Sequence, residues 1–532
     1  MDRTNINKPG LPLVVHIGFA GSRNLVDRSA HPHVDLEQFE LKLQAELVSI
    51  LEKMPDELGL SEKHFICAIS QVAIGADTVF TRSCAELGWL QRVFLPQLRD
   101  DYLAASGSDG VPDFSLEQRQ TARGLLESAH IIQERVVSDS LDRTERFEDV
   151  NREISRVSDC VVCMIRNEAD ARPGGSLDLI ERAQQRNLPL LEIRVGVNRD
   201  GSPDCTVRWH KLDQFRIPSL PTELNDLQTS LDEVPLTSDY CQALRNFVSK
   251  QAMHKRNLFA RAAFSIVAAH VLATFCAVLA VKPLWNLERV VIAILTLEIV
   301  LLAIGLGVHQ WLHHTKAIKA WATHRLIAEI NRSVSALEGV HGYLSHLFIL
   351  PIPDELRPLC RTLNVLHLRS SRESASDSWM LRRDEYVHNR LERERGGQID
   401  YYGGKLRQAR SQLRLASYAF LGASGLAIAA TVGKVVIIYL GWSYGTWPTL
   451  LGMAAILLPV VAVGAMSLAA SFDLEAREHT FHAMHEFAQD QARKLREAKS
   501  ERDFRDLALE TEARLLGENT TWYARRAYVG VT

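Results

Sequence analysis

Four stretches of roughly 20 apolar residues, the length that crosses a bilayer as a helix, constrain this 532-residue chain more than any other feature. Residues 262–281 carry no charged side chain, and 290–308 are interrupted only by Glu298. A third stretch runs from 415 to 440 with Lys434 toward its far end, and the fourth, 450–470, contains Pro459. One such stretch would fit a buried helix of a soluble protein. Four of them, in two close pairs, predict an all-α membrane region with four transmembrane helices. The first 250 residues are mixed in polarity, so a soluble head precedes the membrane region.

Charged connectors set the expected orientation. Lys250, Lys255, Arg256 and Arg261 precede the first span, and Lys316, Lys319 and Arg325 follow the second. Lys405, Arg407, Arg410 and Arg414 precede the third, and Arg477 follows the fourth. The turns between paired spans, 282–289 and 441–449, are short, and the second has two tryptophans, Trp442 and Trp447, and no charge. Cations gather on the cytoplasmic side. The head, the middle segment and the carboxyl terminus are therefore expected in the cytoplasm, on a multi-pass protein of the inner (plasma) membrane with lipid as a partner. No export signal is expected: residues 1–11 are polar, and the apolar strand after them ends at Gly18.

Each hairpin of spans leads into a polar helix, over 314–337 and 475–497, an order that reads as a duplication. Glu298 and His270 fall near the middle of their spans, where an ionisable group faces protein or water instead of lipid. Each reads as a pore candidate or as an ordinary interhelical hydrogen bond. Lys434 reads as snorkelling to the interface.

The head alternates strand and helix. An apolar strand over 13–18 runs into Gly18-Phe19-Ala20-Gly21-Ser22-Arg23, followed by a helix over 36–54. A second strand, 65–70, leads through Gly75-Ala76-Asp77 into a helix ending at Gly88. Strands follow at 93–96 and 159–165, then Pro173-Gly174-Gly175-Ser176, a helix over 177–186 and a last strand at 188–195. This order predicts an α/β Rossmann-like parallel sheet wrapped by helices. Ligands of such sheets sit beyond the carboxyl ends of the strands, where all three glycine-bearing turns fall. Glycines there let the backbone approach an anion and offer N–H donors. The alternative is fold geometry alone, with glycines supplying positive φ and no ligand.

The expected boundaries are a head over 11–196, a linker over 197–240, a first hairpin with its helix over 241–345, a cytoplasmic middle segment over 346–414, and a second hairpin with carboxyl-terminal helices over 415–532. The linker is assigned because Pro, Asp and Ser recur there without periodicity. Eight cysteines form no framework, and Cys160 and Cys163 lie inside an apolar run that reads as a buried strand. No metal site is expected, and the usage fits a reducing compartment. A net charge of −3 gives no bulk argument for a nucleic-acid partner.

The series Gly18-Phe19-Ala20-Gly21-Ser22-Arg23, Gly75-Ala76-Asp77, Leu95-Pro96 with Asp100-Asp101-Tyr102, and Gly174-Gly175-Ser176 resembles the SLOG superfamily over about 13–195. That superfamily has a Rossmann-like fold and includes lonely-guy phosphoribohydrolases, DNA-processing Smf proteins, and nucleotide-sensing heads of bacterial defence effectors and melastatin-type channels. The resemblance implies that Gly21, Ser22 and Arg23 contact phosphate or ribose, that Gly75 and Asp77 shape the second turn, and that Gly174, Gly175 and Ser176 cradle phosphate. The hydrolase signature Pro-Gly-Gly-x-Gly-Thr-x-x-Glu reads here Pro-Gly-Gly-Ser-Leu-Asp-Leu-Ile-Glu, so Glu181 falls on the catalytic position while Leu177 and Asp178 replace a glycine and a threonine. The lost glycine crowds the ligand and Asp178 adds a negative charge, so binding of a nucleotide-like ligand without turnover is the expectation. Glu181 reads equally as a solvated helix residue. No other cofactor is implied.

Farther along, Tyr386-Val387-x-x-Arg390, Gln398-x-x-Tyr401-Tyr402 and Lys405 precede the third span, and Glu518 and Trp522 lie on a late charged helix. This order resembles the SLATT two-transmembrane effector families, with Trp321, Arg325 and Glu329 marking a diverged first copy. Singly, each of these residues fits an ordinary bundle contact. The resemblance implies a homo-oligomeric sensor–effector that forms a pore in bacterial conflict or antiphage defence when its head binds a nucleotide or NAD-derived signal. A membrane-tethered nucleotide N-glycoside hydrolase and a nucleotide-regulated channel are the alternatives.

Overall fold

The computed structural model describes residues 11–106, 113–167, 174–221, 237–281, 288–315, 317–373, 378–440 and 446–528. Pro173, Trp442, most of the two hairpin turns and residues 222–236 of the expected linker lie outside them. The chain forms two compact units. One comprises Met1–Cys241, His341–Leu344 and Ile352–Ala375; the other comprises Gln242–Val340, Ser345–Pro351 and Ser376–Thr532.

The first unit is a seven-stranded sheet ordered β4-β3-β2-β1-β5-β6-β7. Its elements run β1 (Leu13–Gly21), α1 (Leu36–Glu57), β2 (His64–Ser70), α2 (Ala76–Glu86), β3 (Leu90–Leu95), α3 (Arg99–Ala104) and α4 (Leu116–Glu127), then β4 (Ile131–Val136), α5 (Arg143–Val157), β5 (Cys160–Arg166), α6 (Ser176–Gln185), β6 (Leu190–Val197) and β7 (Pro203–His210). Strands β1 to β6 pair in parallel and β7 pairs antiparallel with β6. Asp35 starts α1 by accepting from the amides of Glu37 and Gln38, and Ser115 and Gln118 close a capping box on α4.

The sheet is buried on both faces, which is why its central strands read as unbroken apolar runs. On one face Val15, Ile17 and Phe19 pack against Phe39, Leu43 and Leu47 of α1 and Val79 and Phe80 of α2. The Phe19 and Phe80 rings stack at 3.9 Å. On the other face Ala20, Val161, Cys163 and Ile165 meet Val150 and Ile154 of α5 and Leu179 and Ala183 of α6. Both cysteines of the CxxC are thus buried in β5, and burial pushes their thiols up.

Three features of this unit differ from the sequence expectation, the first being β4, an edge strand with no counterpart among the strands expected from sequence. Residues 203–210, read as linker, form β7 and extend the sheet along β6. As an edge strand it buries little, with Val207 42% exposed, so no apolar alternation marks it. Part of the segment read as a separate cytoplasmic middle piece also belongs to the head. Within that part, α11 (Arg357–Glu373) lays Val365, Leu366 and Leu368 over Val14, Phe65, Cys67 and Ile132. It is fixed at its start by Arg361 to the Asp159 carboxylate and by Thr362 Oγ1 accepting from the Val14 amide at 3.0 Å. At its end Arg372 donates to the carbonyls of Ile131 and Glu127. The helix covers sheet surface that the head's own crossovers leave bare.

The second unit is helical: α7 (Thr237–Val281), α8 (Glu288–His314), α9 (Ala317–Ala336), α10 (His346–Ile349), α12 (Trp379–Tyr386), a π-helical turn over Val387–Glu392, α13 (Gln398–Tyr439), α14 (Thr446–Ser471), α15 (Leu474–Arg496) and α16 (Glu501–Tyr528). Helices α7, α8 and α13, and the continuous stretch of α14 and α15, are each long and apolar enough to cross a membrane. In the most apolar window of α8, with mean hydropathy 2.7, only 6% of residues are buried. A soluble protein would leave that surface in water, whereas lipid satisfies it. The polar helices α9 and α15 fall where the sequence places one after each hairpin.

Candidate functional site

In this topology the chain steps from β1 outward to β4 and then returns to place β5 on the other side of β1. Such a reversal opens a crevice at the carboxyl ends of β1 and β5. The turn after β1 lies at this crevice. Strand β1 continues through Gly21, so Gly18 sits within the strand, paired with Ile69 and Val161. A side chain at Gly18 would meet Ile154 Cγ2 at 2.7 Å and the Ser158 hydroxyl, so the glycine admits the close approach of α5. A side chain at Gly21 would run into Ala76 and come within 3.0 Å of the Met164 carbonyl.

Ser22 ties the turn to its surroundings. Its amide donates to Met164 O at 2.9 Å, its hydroxyl accepts from the Arg166 amide at 3.1 Å, and its carbonyl accepts from the Ala76 amide at 3.1 Å. Gly75, the cap of α2, has φ +78°, and a side chain there would meet Ser22 O at 2.8 Å. These two turns are therefore locked together, which holds Arg23 and Asp77 close to each other.

Around them is a polar cluster. Arg23 Nη1 donates to Asp113 Oδ1 at 3.3 Å, and Arg143 Nη2 donates to both Asp113 oxygens at 2.7 and 2.6 Å. Arg23 Nη2 and the hydroxyl of Tyr102 are both buried, and they lie within reach of each other. Asp77 is buried, and desolvation pushes its carboxyl up to about 8, against the pull of Arg23. A carboxyl that keeps its proton at neutral pH donates to an anion instead of repelling it. Two guanidiniums, one shared carboxylate and a neutral Asp77 leave a net positive charge.

The turn after β5 is built differently. Gly174 has φ +71°, and a side chain there would meet Phe147 Cβ at 2.7 Å on α5. Gly175 caps α6, and its carbonyl accepts from Asn151 Nδ2 at 2.9 Å. Ser176 is the first residue of α6, whose first-turn amides have no partner inside the helix. Asp178 accepts from Asn151 Nδ2 at 2.9 Å and from Arg182 Nε at 2.9 Å, so its charge is engaged within the fold. Glu181 is exposed on α6 and accepts from Gln185 at 3.1 Å, as a solvated helix residue does. Asp113, Arg143 and Asn151 carry no motif in the sequence; they reach the crevice edge only through the folding of α4 and α5.

The helical unit gathers the other singled-out residues. Arg390, in the π-helical turn, and Tyr386 both reach Glu512 on α16, the tyrosine at 2.9 Å. Trp321 stacks on Phe259 and meets Trp522 edge-on at 5.0 Å, while Arg325 lies 4.4 Å over the Trp522 ring. Burial pushes the Glu518 carboxyl up, against the pull of Arg325. Glu512 and Phe259 carry no motif in the sequence. The two mid-span residues have different settings. His270 bonds the Ile266 carbonyl at 2.8 Å and its ring occupies the space that a side chain at Gly305 of α8 would need. Glu298 is half-buried on α8.

Among the described residues no group of three His, Cys, Asp or Glu side chains is placed to hold a metal ion. Comparison of the chain with protein-family models, with curated proteins and with solved structures gives no match.

Proposed function

We propose that this protein is a membrane-bound sensor–effector whose head binds a nucleotide or NAD-derived signal and whose helical unit responds by opening a pore, in the setting of bacterial conflict or antiphage defence. The observation that carries the proposal is the cluster of Arg23, Asp77, Tyr102 and Arg143 beside the sheet's topological reversal. A positive charge there, with the buried donors of Arg23 and Tyr102 beside it, suits a phosphate-bearing ligand. The path of the chain supports transmission. Residues 341–344 and 352–375, which join the two hairpins, are part of the head unit, so backbone leads from the head directly into both α9 and α12. A ligand then shifts the equilibrium by as much as it favours one state of that connected segment. Homo-oligomers would supply enough helices to enclose a pore, with the head, the middle segment and the carboxyl terminus in the cytoplasm.

The test is calorimetry on the full chain in detergent with cyclic oligonucleotides, ADP-ribose variants and NAD, each sample checked afterwards for product. We expect an intact ligand to bind, dye to leak from protein-containing vesicles when it is added, and Arg23→Ala to lose both while still inserting. A normal response in Arg23→Ala would sink the pocket assignment. Turnover abolished by Glu181→Gln would replace the sensor with a hydrolase.

A further inference from the structure

The helical unit contains a cleft of about 1020 Å³, lined from α7, α9, α13, α14, α15 and α16. Its two ends differ in character. Leu415, Ala416 and Ala419 of α13 and Ala465, Leu468 and Ala469 of α14 form an apolar end, at the margin of the third and fourth spans. The other end carries six cations, Arg256, Arg325, Lys405, Arg477, Arg514 and Arg525, against two acids, Asp473 and Glu518. Lys405 shares this lining with Arg256, Arg325 and Arg477 and donates to Gln408 at 3.3 Å. Glu518 lies among these cations, and the excess of positive charge that remains suits an anion. Trp321 and Trp522 stand in the lining, and the buried indole Nε1 of Trp522 has no hydrogen-bond partner among the described residues. Tryptophan prefers the headgroup level of a bilayer, where one end of the ring is apolar and the other wet.

We propose that this cleft binds an anionic glycerophospholipid, its phosphate among the arginines and its acyl chains along the apolar end where the spans begin. Charge complementarity selects the headgroup, and continuity of the apolar wall with the membrane-spanning surface admits the chains. Neither a soluble nucleotide nor inorganic phosphate would use the apolar end.

The full-length protein in neutral detergent is offered equal amounts of phosphatidylglycerol and phosphatidylcholine with identical acyl chains, and retained lipid is read by native mass spectrometry. Phosphatidylglycerol is retained over phosphatidylcholine by about tenfold or more. The combined variant Arg477→Gln, Arg514→Gln, Arg525→Gln loses that preference. Ala416→Trp, which leaves every charge in place and fills the apolar end, lowers retention of both lipids. Circular dichroism confirms unchanged helix content in each variant. Equal retention of the two lipids by the parent protein, or a preference that survives the charge variant, overturns the proposal. So does displacement of phosphatidylglycerol by millimolar inorganic phosphate with Ala416→Trp having no effect, because the site would then be one for a free anion.

Discussion

The Arg390 guanidinium and the Glu512 carboxylate meet at two points, Nε to Oε1 at 2.6 Å and Nη2 to Oε2 at 2.7 Å, with Glu512 fully buried and Arg390 7% exposed. The pair joins the π-helical turn before α13 to the middle of α16, and Tyr386 adds a third bond to the same carboxylate. Removing one partner strands a charge in the interior. Arg390→Met should therefore destabilise the full chain by about 3–5 kcal/mol, and Glu512→Leu likewise. Combining them should cost much less than the sum, since no lone charge remains. Unfolding of the detergent-solubilised variants measures this, and a single variant as stable as the parent would contradict it.

Asp77 gives the head a pH dependence of definite sign. Its folded-state value of about 8 lies above the ordinary 3.8 because the carboxyl is desolvated. Between those limits the native state holds a proton that the unfolded chain has released. Stability from this group is full below the lower value and falls as pH rises toward the upper one, by at most about 1.4 kcal/mol per pH unit. Asp77→Asn should remove that loss, so its advantage over the parent should grow steadily from about pH 4 to about pH 8 and then level off. Parallel stability curves for the two proteins would show that Asp77 ionises normally.

The parts of this fold that can be read in the sequence are those where burial is one-sided in chemistry. Strands β1, β2 and β5 are enclosed on both faces, so their residues are apolar throughout, and the spans are apolar because lipid surrounds them. The edge strands β4 and β7 escape the same reading. Gln133, Glu134 and Arg135 of β4, and Asp204, Thr206 and Arg208 of β7, are tolerated because water or an ion partner meets them. The site divides in a similar way. Glycine turns announce where the backbone bends, but Gly18 and Gly21 turn out to make room for α5 and α2. Asp113 and Arg143 hold the charge balance of the cluster from loops and helix starts that no spacing rule connects to Arg23.

Gly75 tests fold geometry apart from any ligand. Its φ of +78° is strained for any residue with a Cβ, and that Cβ would press on the Ser22 and Arg23 carbonyls. Gly75→Ala should destabilise the protein by about 1–3 kcal/mol whether or not a nucleotide is present. Gly124, on an open face of α4 with no atom near its missing side chain, supplies the comparison. Gly124→Ala should be neutral or stabilising by about 0.5–1 kcal/mol. If Gly75→Ala melts like the parent, the tight junction between the two turns is not as described.

The head's dependence on α11 makes the last prediction. Val365 is fully buried among Val14, Phe65, Cys67 and Ile132, on a helix that enters the sequence more than a hundred residues after β7. Val365→Asp would place a carboxylate in that apolar layer in place of a fully buried side chain, at a cost of ~3 kcal/mol or more, and should lift α11 from the sheet. Hydrogen exchange should then rise in β1, β2 and β4, whose outer face α11 covers, while α13 and α14 keep their protection. A head fragment ending at residue 221 should behave like the variant and bind a hydrophobic dye, because the same apolar surface is bare. Restoring residues 352–375 through a flexible linker should quench that binding. Unchanged strand protection in Val365→Asp would mean that the sheet is complete without α11, and that the segment joining the hairpins does not report on the state of the head.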